Sequence, residues 1–175
     1  MSCRPVDRWL FGKLPSLGDF VSRGLDFAFR DALDLWLSQQ IGEARAALGE
    51  QFDDRYFAAP AWCFVDCDPQ GQWSGGSLCA SVDAAGRKFP LMAGVPANDA
   101  GEAAQLAGGC LEMLYAALAE GWDADRLQAA ELTGVDLGWQ PDQACWAMVG
   151  EDGSAIEAPG RFPAGVVQRM LDMAA

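Results

Sequence analysis

Residues 61–95 read AWCFVDCDPQGQWSGGSLCASVDAAGRKFPLMAGV, and this stretch decides the fold. Its apolar and aromatic runs predict three strands, over 61–67, 73–82 and 88–95. Asp68-Pro69-Gln70-Gly71 and Asp83-Ala84-Ala85-Gly86 separate them, and both are turn sequences. Connections that short leave no room for a crossover, so the strands form an antiparallel meander. Pro90 inside the third run predicts an edge position or a bulge, because proline has no N–H to give to a ladder.

Upstream the period changes. Leu33, Leu37, Ile41, Ala44 and Leu48 recur at helical spacing with Trp36 beside them, while Asp31, Asp34, Glu43 and Arg45 fall off the stripe. A helix over 27–48 follows, with Asp26 as N-cap and Gly49 as C-cap. Residues 8–11 read as a first strand and 51–60 as a short helical or irregular connection. Downstream, Asn98 or Asp99 opens a helix striped by Leu106, Cys110, Leu114 and Ala117, and Gly108-Gly109 in its middle implies close packing on a neighbour. A short helix within 122–132, a hairpin of 137–139 with 144–149 around Pro141-Asp142, and a final helix over 163–173 complete the chain. The class is α/β of the α+β type: one domain over 1–175, with a central, mainly antiparallel sheet flanked by helices. Its order is strand, helix, three strands, helix, plus C-terminal additions. That order is similar to the longin or profilin-like arrangement, an analogy of fold alone.

Composition narrows the function. The 175 residues are 51% hydrophobic and 21% charged, the balance of a globular chain with a real core. A net charge of −13 speaks against nucleic acid, whose phosphates the surface would repel. The charge is uneven: residues 1–30 hold five bases and three acids (+2), leaving seven bases and 22 acids (−15). There is no histidine, which removes the commonest general base and metal ligand. The six cysteines sit mostly singly in apolar runs, so they read as reduced, unbridged core thiols, and neither a disulfide framework nor a zinc set is expected. No run is long and apolar enough to export or anchor the chain, which predicts a cytoplasmic protein with no membrane insertion. No cofactor fingerprint is present either; Gly12-x5-Gly18 and Gly75-Gly76 lack the spacing of a phosphate-cradling loop.

The candidate site begins in the opening loop, GKLPSLGDFVSRG over 12–24. It carries Leu14, Leu17, Phe20 and Val21, so it should lie against the core, with Pro15, Gly18 and Gly24 shaping its turns. Asp19 and Arg23 are four apart, as are Asp83 and Arg87, each pair beside glycine and phenylalanine. The expectation is that both loops meet at one end of the sheet, with Asp19–Arg23 and Asp83–Arg87 forming a buried charge network. Lys13 and Lys88 are expected as exposed cations beside it, available to a partner.

These residues also carry a family resemblance. Phe11-Gly12-Lys13-Leu14-Pro15, Gly18-Asp19-Phe20-Val21 and Arg23 resemble the opening signature of the type VI secretion-associated TagF/ImpM family. Trp36-Leu37, Tyr56 and Ala59-Pro60-Ala61-Trp62-Cys63-Phe64 are similar to its middle block. Ser81-Val82-Asp83, Gly86-Arg87 and Phe89-Pro90-Leu91 resemble its third, so that the resemblance covers about 9–95. Ser16-Leu17 stands where the familiar loop often has Ala-Arg, removing one basic group. The resemblance implies a bacterial cytoplasmic accessory protein, a post-translational repressor of secretion-system assembly that acts with or upon a forkhead-associated-domain component. No catalysis attaches to the signature. Two other readings stand beside it, a small hydrolase using the carboxylates of Asp19 and Asp83, and a structural subunit of the machine.

Overall fold

A computed structural model describes residues 8–174. Seven strands form one sheet: β1 (Trp9–Lys13), β2 (Phe20–Arg23), β3 (Trp62–Cys67), β4 (Trp73–Cys79), β5 (Leu91–Ala97), β6 (Cys145–Val149) and β7 (Ala155–Pro159). They lie in the order β2-β1-β5-β4-β3-β6-β7, and every pair of neighbours is antiparallel. The predicted meander is the run β3-β4-β5 at the centre. Five helices accompany it: α1 (Phe27–Leu48), α2 (Gln51–Tyr56), α3 (Ala100–Glu120), α4 (Ala124–Ala129) and α5 (Val166–Asp172).

Side-chain alternation divides the core between the two faces of the sheet. Trp62 and Phe64 of β3 join Trp9, Phe11, Leu78 and Met92 in the layer packed by α1, α2 and α5. Cys63 and Val65 point the other way, among the buried alanines of α3. The α1 stripe is the one the spacing predicts, with Leu33, Leu37, Ile41 and Ala44 buried. Asp26 caps it, its carboxylate accepting from Phe29 N–H at 2.8 Å. In α3 the cap is Asp99, which accepts from Glu102 N–H. Side chains at Gly108 and Gly109 would collide with the carbonyls of Val135 and Thr133, so this glycine pair lets the chain that follows α4 lie directly on α3.

The segment ahead of α5 is tied to the sheet and α1 by tryptophans. The indole N–H groups of Trp36, Trp62 and Trp146 donate to the carbonyls of Pro163, Val166 and Arg161 at 3.2, 2.9 and 3.0 Å. The start of α5 has no cap of its own; the buried Gln40 of α1 supplies one, its Oε1 accepting from Gly165 N–H and Val166 N–H.

The structure corrects four expectations. Residues 20–23 form the edge strand β2 instead of continuing the opening loop. Pro90 precedes β5, which lies centrally between β1 and β4, so no edge or bulge is needed. The strand 145–149 pairs with β7, not with 137–139, because the turn lies at 150–154, where Gly150 N–H reaches Ser154 O at 2.8 Å. The last helix starts at Val166, three residues after Pro163. Five cysteines are free thiols, Cys63, Cys67, Cys79, Cys110 and Cys145; Cys3 lies outside the described residues. Burial pushes the Cys63 thiol up to about 11, against a bond with Ser77, and the Cys79 thiol up to about 12.

Candidate functional site

The signature residues meet where β1 ends. Lys13 is the last residue of β1 and is only 8% exposed. Its ammonium lies 3.0 Å from Asp83 Oδ2 and 5.1 Å from the centre of the Phe20 ring. Strand pairing produces this burial. The preceding Gly12 has φ 129° and packs against the Pro90 carbonyl, a place that a side chain cannot occupy.

Asp83 is the hub. Its Oδ1 accepts from the N–H groups of Ala85 and Arg87, both at 3.0 Å, which folds residues 83–87 into a tight turn. Its Oδ2 accepts from Arg87 Nε at 2.7 Å beside the Lys13 ammonium. Burial by itself raises the Asp83 carboxyl. The Arg87 N–H, the Lys13 ammonium, the Arg87 guanidinium and the Ala85 N–H outweigh that and hold it well below the usual carboxylate range. Arg87 then reaches across to the opening loop, donating to Gly18 O at 2.9 Å, and Ala84 N–H donates to Leu17 O at 2.7 Å. The two loops therefore do lie together at one end of the sheet.

A second, neutral lock backs the first. Ser81 Oγ donates to Lys13 O at 2.6 Å. The buried Tyr56 hydroxyl at the end of α2 donates to Ser81 O at 2.9 Å and accepts from Ser81 N–H at 3.2 Å. Burial pushes the Tyr56 hydroxyl well above its ordinary range, so it stays a donor. The sequence singled out neither residue for this role. The signal for Ser81 is a small hydroxyl between an apolar strand and an aspartate-led turn.

Other sequence expectations fail here. Asp19 and Arg23 do not pair: Asp19 is exposed, and Arg23 bonds Asp125 at 2.7 Å in a surface contact. Four residues along an extended strand span about 13 Å, whereas four residues around a turn come back together. Lys13 and Lys88 are not exposed cations. Lys13 belongs to the buried hub, and Lys88 pairs with Asp53 at 3.0 Å while lying 5.6 Å from the centre of the Phe57 ring. What faces outward is Asp19, Phe20 at 49% exposure and the side chain of Arg87 at 65%. The hub offers little to acid–base chemistry, because a carboxylate held ionised by two cations is a poor proton acceptor.

An antiparallel sheet with helices on both faces defines an α+β domain, in which the signature residues are spent on fastening two loops. The family model described as TagF N-terminal domain, type VI secretion system-associated, matches residues 10–132, and the chain belongs to that family. The match runs past Val95 to include α3 and α4, further than the motif resemblance reached. Among solved structures, the chain is similar to PA0076 from Pseudomonas aeruginosa PAO1. The TM-score is 0.70 at 21% identity, over 94% of this chain and 93% of that one, a likeness of fold. No protein of curated function matches the sequence. Among the described residues, no helix is long and apolar enough to cross a membrane.

Proposed function

We propose that this type VI secretion-associated domain is a non-enzymatic, cytoplasmic negative regulator, which restrains assembly of the machine by binding its forkhead-associated-domain component. One observation carries the reading. The signature's charged residues hold two loops rigidly, and so present Asp19, Phe20 and Arg87 together on the outside of that corner. An exposed aromatic at a corner that also exposes charged side chains is the make-up of a protein-contact surface. The hydrolase alternative has the weaker support, because it needs Asp83 as a working carboxylate and Asp83 is shut in by Lys13 and Arg87.

The test joins two readouts. Deleting the gene should raise type VI secretion, where loss of a structural subunit would abolish it. In pull-downs, Asp19→Arg should lose the forkhead-associated component while melting as the wild type does, since Asp19 makes no ion pair among the described residues. Unimpaired capture by Asp19→Arg removes this corner from the contact surface. Secretion that falls on deletion overturns the regulatory reading.

A further inference from the structure

The far end of the sheet, where β1 begins, holds an open cleft of about 580 Å³. It lies between the first turns of α1, the β3–β4 turn over 68–72 and the Arg161-Phe162 step. Its walls are aromatic. Trp9 meets Phe29 edge-on at 5.5 Å, and Phe29 meets Phe162 at 6.5 Å. Three carboxylates line it, Asp26, Asp66 and Asp68, against one cation, Arg161, a balance of −2.

The cleft already shows which chemistry it accepts. Asp66 holds Arg161 through two bonds, 2.6 and 2.9 Å, and that guanidinium lies 5.6 Å from the centre of the Phe162 ring. Asp26 and Asp68 each use one oxygen internally, Asp26 on Phe29 N–H and Asp68 on the N–H groups of Gln70 and Gln72. Their second oxygens make no hydrogen bond among the described residues. The Asp26 carboxylate also answers the positive end of α1, so the helix terminus does not turn the cleft toward anions.

Ring faces and carboxylates select the same group, a cation on an apolar stem. We infer that this cleft docks a lysine- or arginine-bearing segment of a protein partner. The stem lies along Phe29 and Phe162, and the charged head meets Asp26 and Asp68. A body of net charge −13 draws such a segment in from a distance. The inference stands apart from the signature corner, which lies at the other end of the sheet.

The probe is a capped peptide, acetyl-Gly-Leu-Arg-Leu-Arg-Gly-amide, titrated into the isotope-labelled full chain. The indole N–H signal of Trp9 and the backbone N–H signal of Gln72, which bonds Asp68, report on the cleft, and the indole of the buried Trp62 reports on the fold. The expected result is a saturable shift of the first two, with Trp62 unmoved. Affinity should weaken roughly tenfold as salt is raised from about 20 mM to about 300 mM, because the contacts are exposed charge pairs. A peptide with glutamate in place of arginine should leave the signals still. Ala32→Arg on the α1 wall and Gln70→Arg on the facing turn each put a cation into the cleft from an exposed position, and each should abolish the response. An unsaturable shift, an equal response to the glutamate peptide, or full binding by both variants overturns the proposal. Free arginine amide binding as tightly as the peptide overturns the protein segment as occupant.

Discussion

The two ends of this sheet spend their charges in opposite ways. At the signature end, Asp83 is shut from solvent and every acceptor direction is used, by two cations and two backbone N–H groups. At the cleft end, Asp26 and Asp68 share one oxygen each with the backbone and hold the other toward open space. The same residue type is a fastening in one place and a recognition group in the other. What separates the two is the number of internal partners left after folding, a quantity that net charge does not reveal.

The contrast can be broken most directly at the hub. Asp83→Ala leaves the Lys13 ammonium buried without its counter-charge, and the melting temperature should fall by about 10 °C. The effect should shrink in acid. The folded carboxyl lies below its ordinary range, so its stabilisation is present above the unfolded value, about 4, and is lost as pH falls below that. Melts of wild type and Asp83→Ala should therefore draw steadily together as pH falls below about 4; a constant gap would show that packing, not charge, explains the loss.

Next in size is Tyr56→Phe, which strips Ser81 N–H of its partner in the core and should cost about 1–3 kcal/mol by chemical denaturation. At the cleft, Arg161→Ala removes a two-pronged but partly solvated pair and should cost about 1 kcal/mol, less in high salt. A loss as large as that of Asp83→Ala would erase the difference between the two ends. The smallest effect belongs to Asp19→Ala, within about 0.5 kcal/mol of wild type, because the residue is exposed. A sharp destabilisation there would restore the buried Asp19–Arg23 pair that the strand geometry excludes.

Much of the fold was legible because its signals are long. The meander strands and the stripes of α1 and α3 declared themselves, Asp26 and Gly49 marked the ends of α1, and of Asn98 and Asp99 it is Asp99 that caps α3. Short elements escaped. In β2 only Val21 is buried, so four residues of alternation could not be told from a loop. In β7 only Ala158 is buried and proline ends the strand, so it carried no apolar signal and β6 was given the wrong partner. The site was half legible for a related reason. Spacing of four predicts contact only when the backbone between is curled, as at 83–87, and the sequence did not show that the chain straightens into β2 right after Asp19. The cleft was not legible at all, since Asp26, Asp66 and Arg161 come together only through the order of strands.

The tryptophans that grip the chain before α5 have a consequence for how this protein can diverge. Trp36, Trp62 and Trp146 all bond main-chain carbonyls, and Gln40 bonds main-chain N–H groups. Such anchors recognise the path of the chain and are indifferent to most of the letters along it. The linking residues 161–165 can therefore change side chain with little effect on the course of the chain into α5, whereas Trp146 and the buried Val166, Val167, Met170 and Leu171 cannot. Inheritance here is written in side chains on one side of the contact and in backbone geometry on the other.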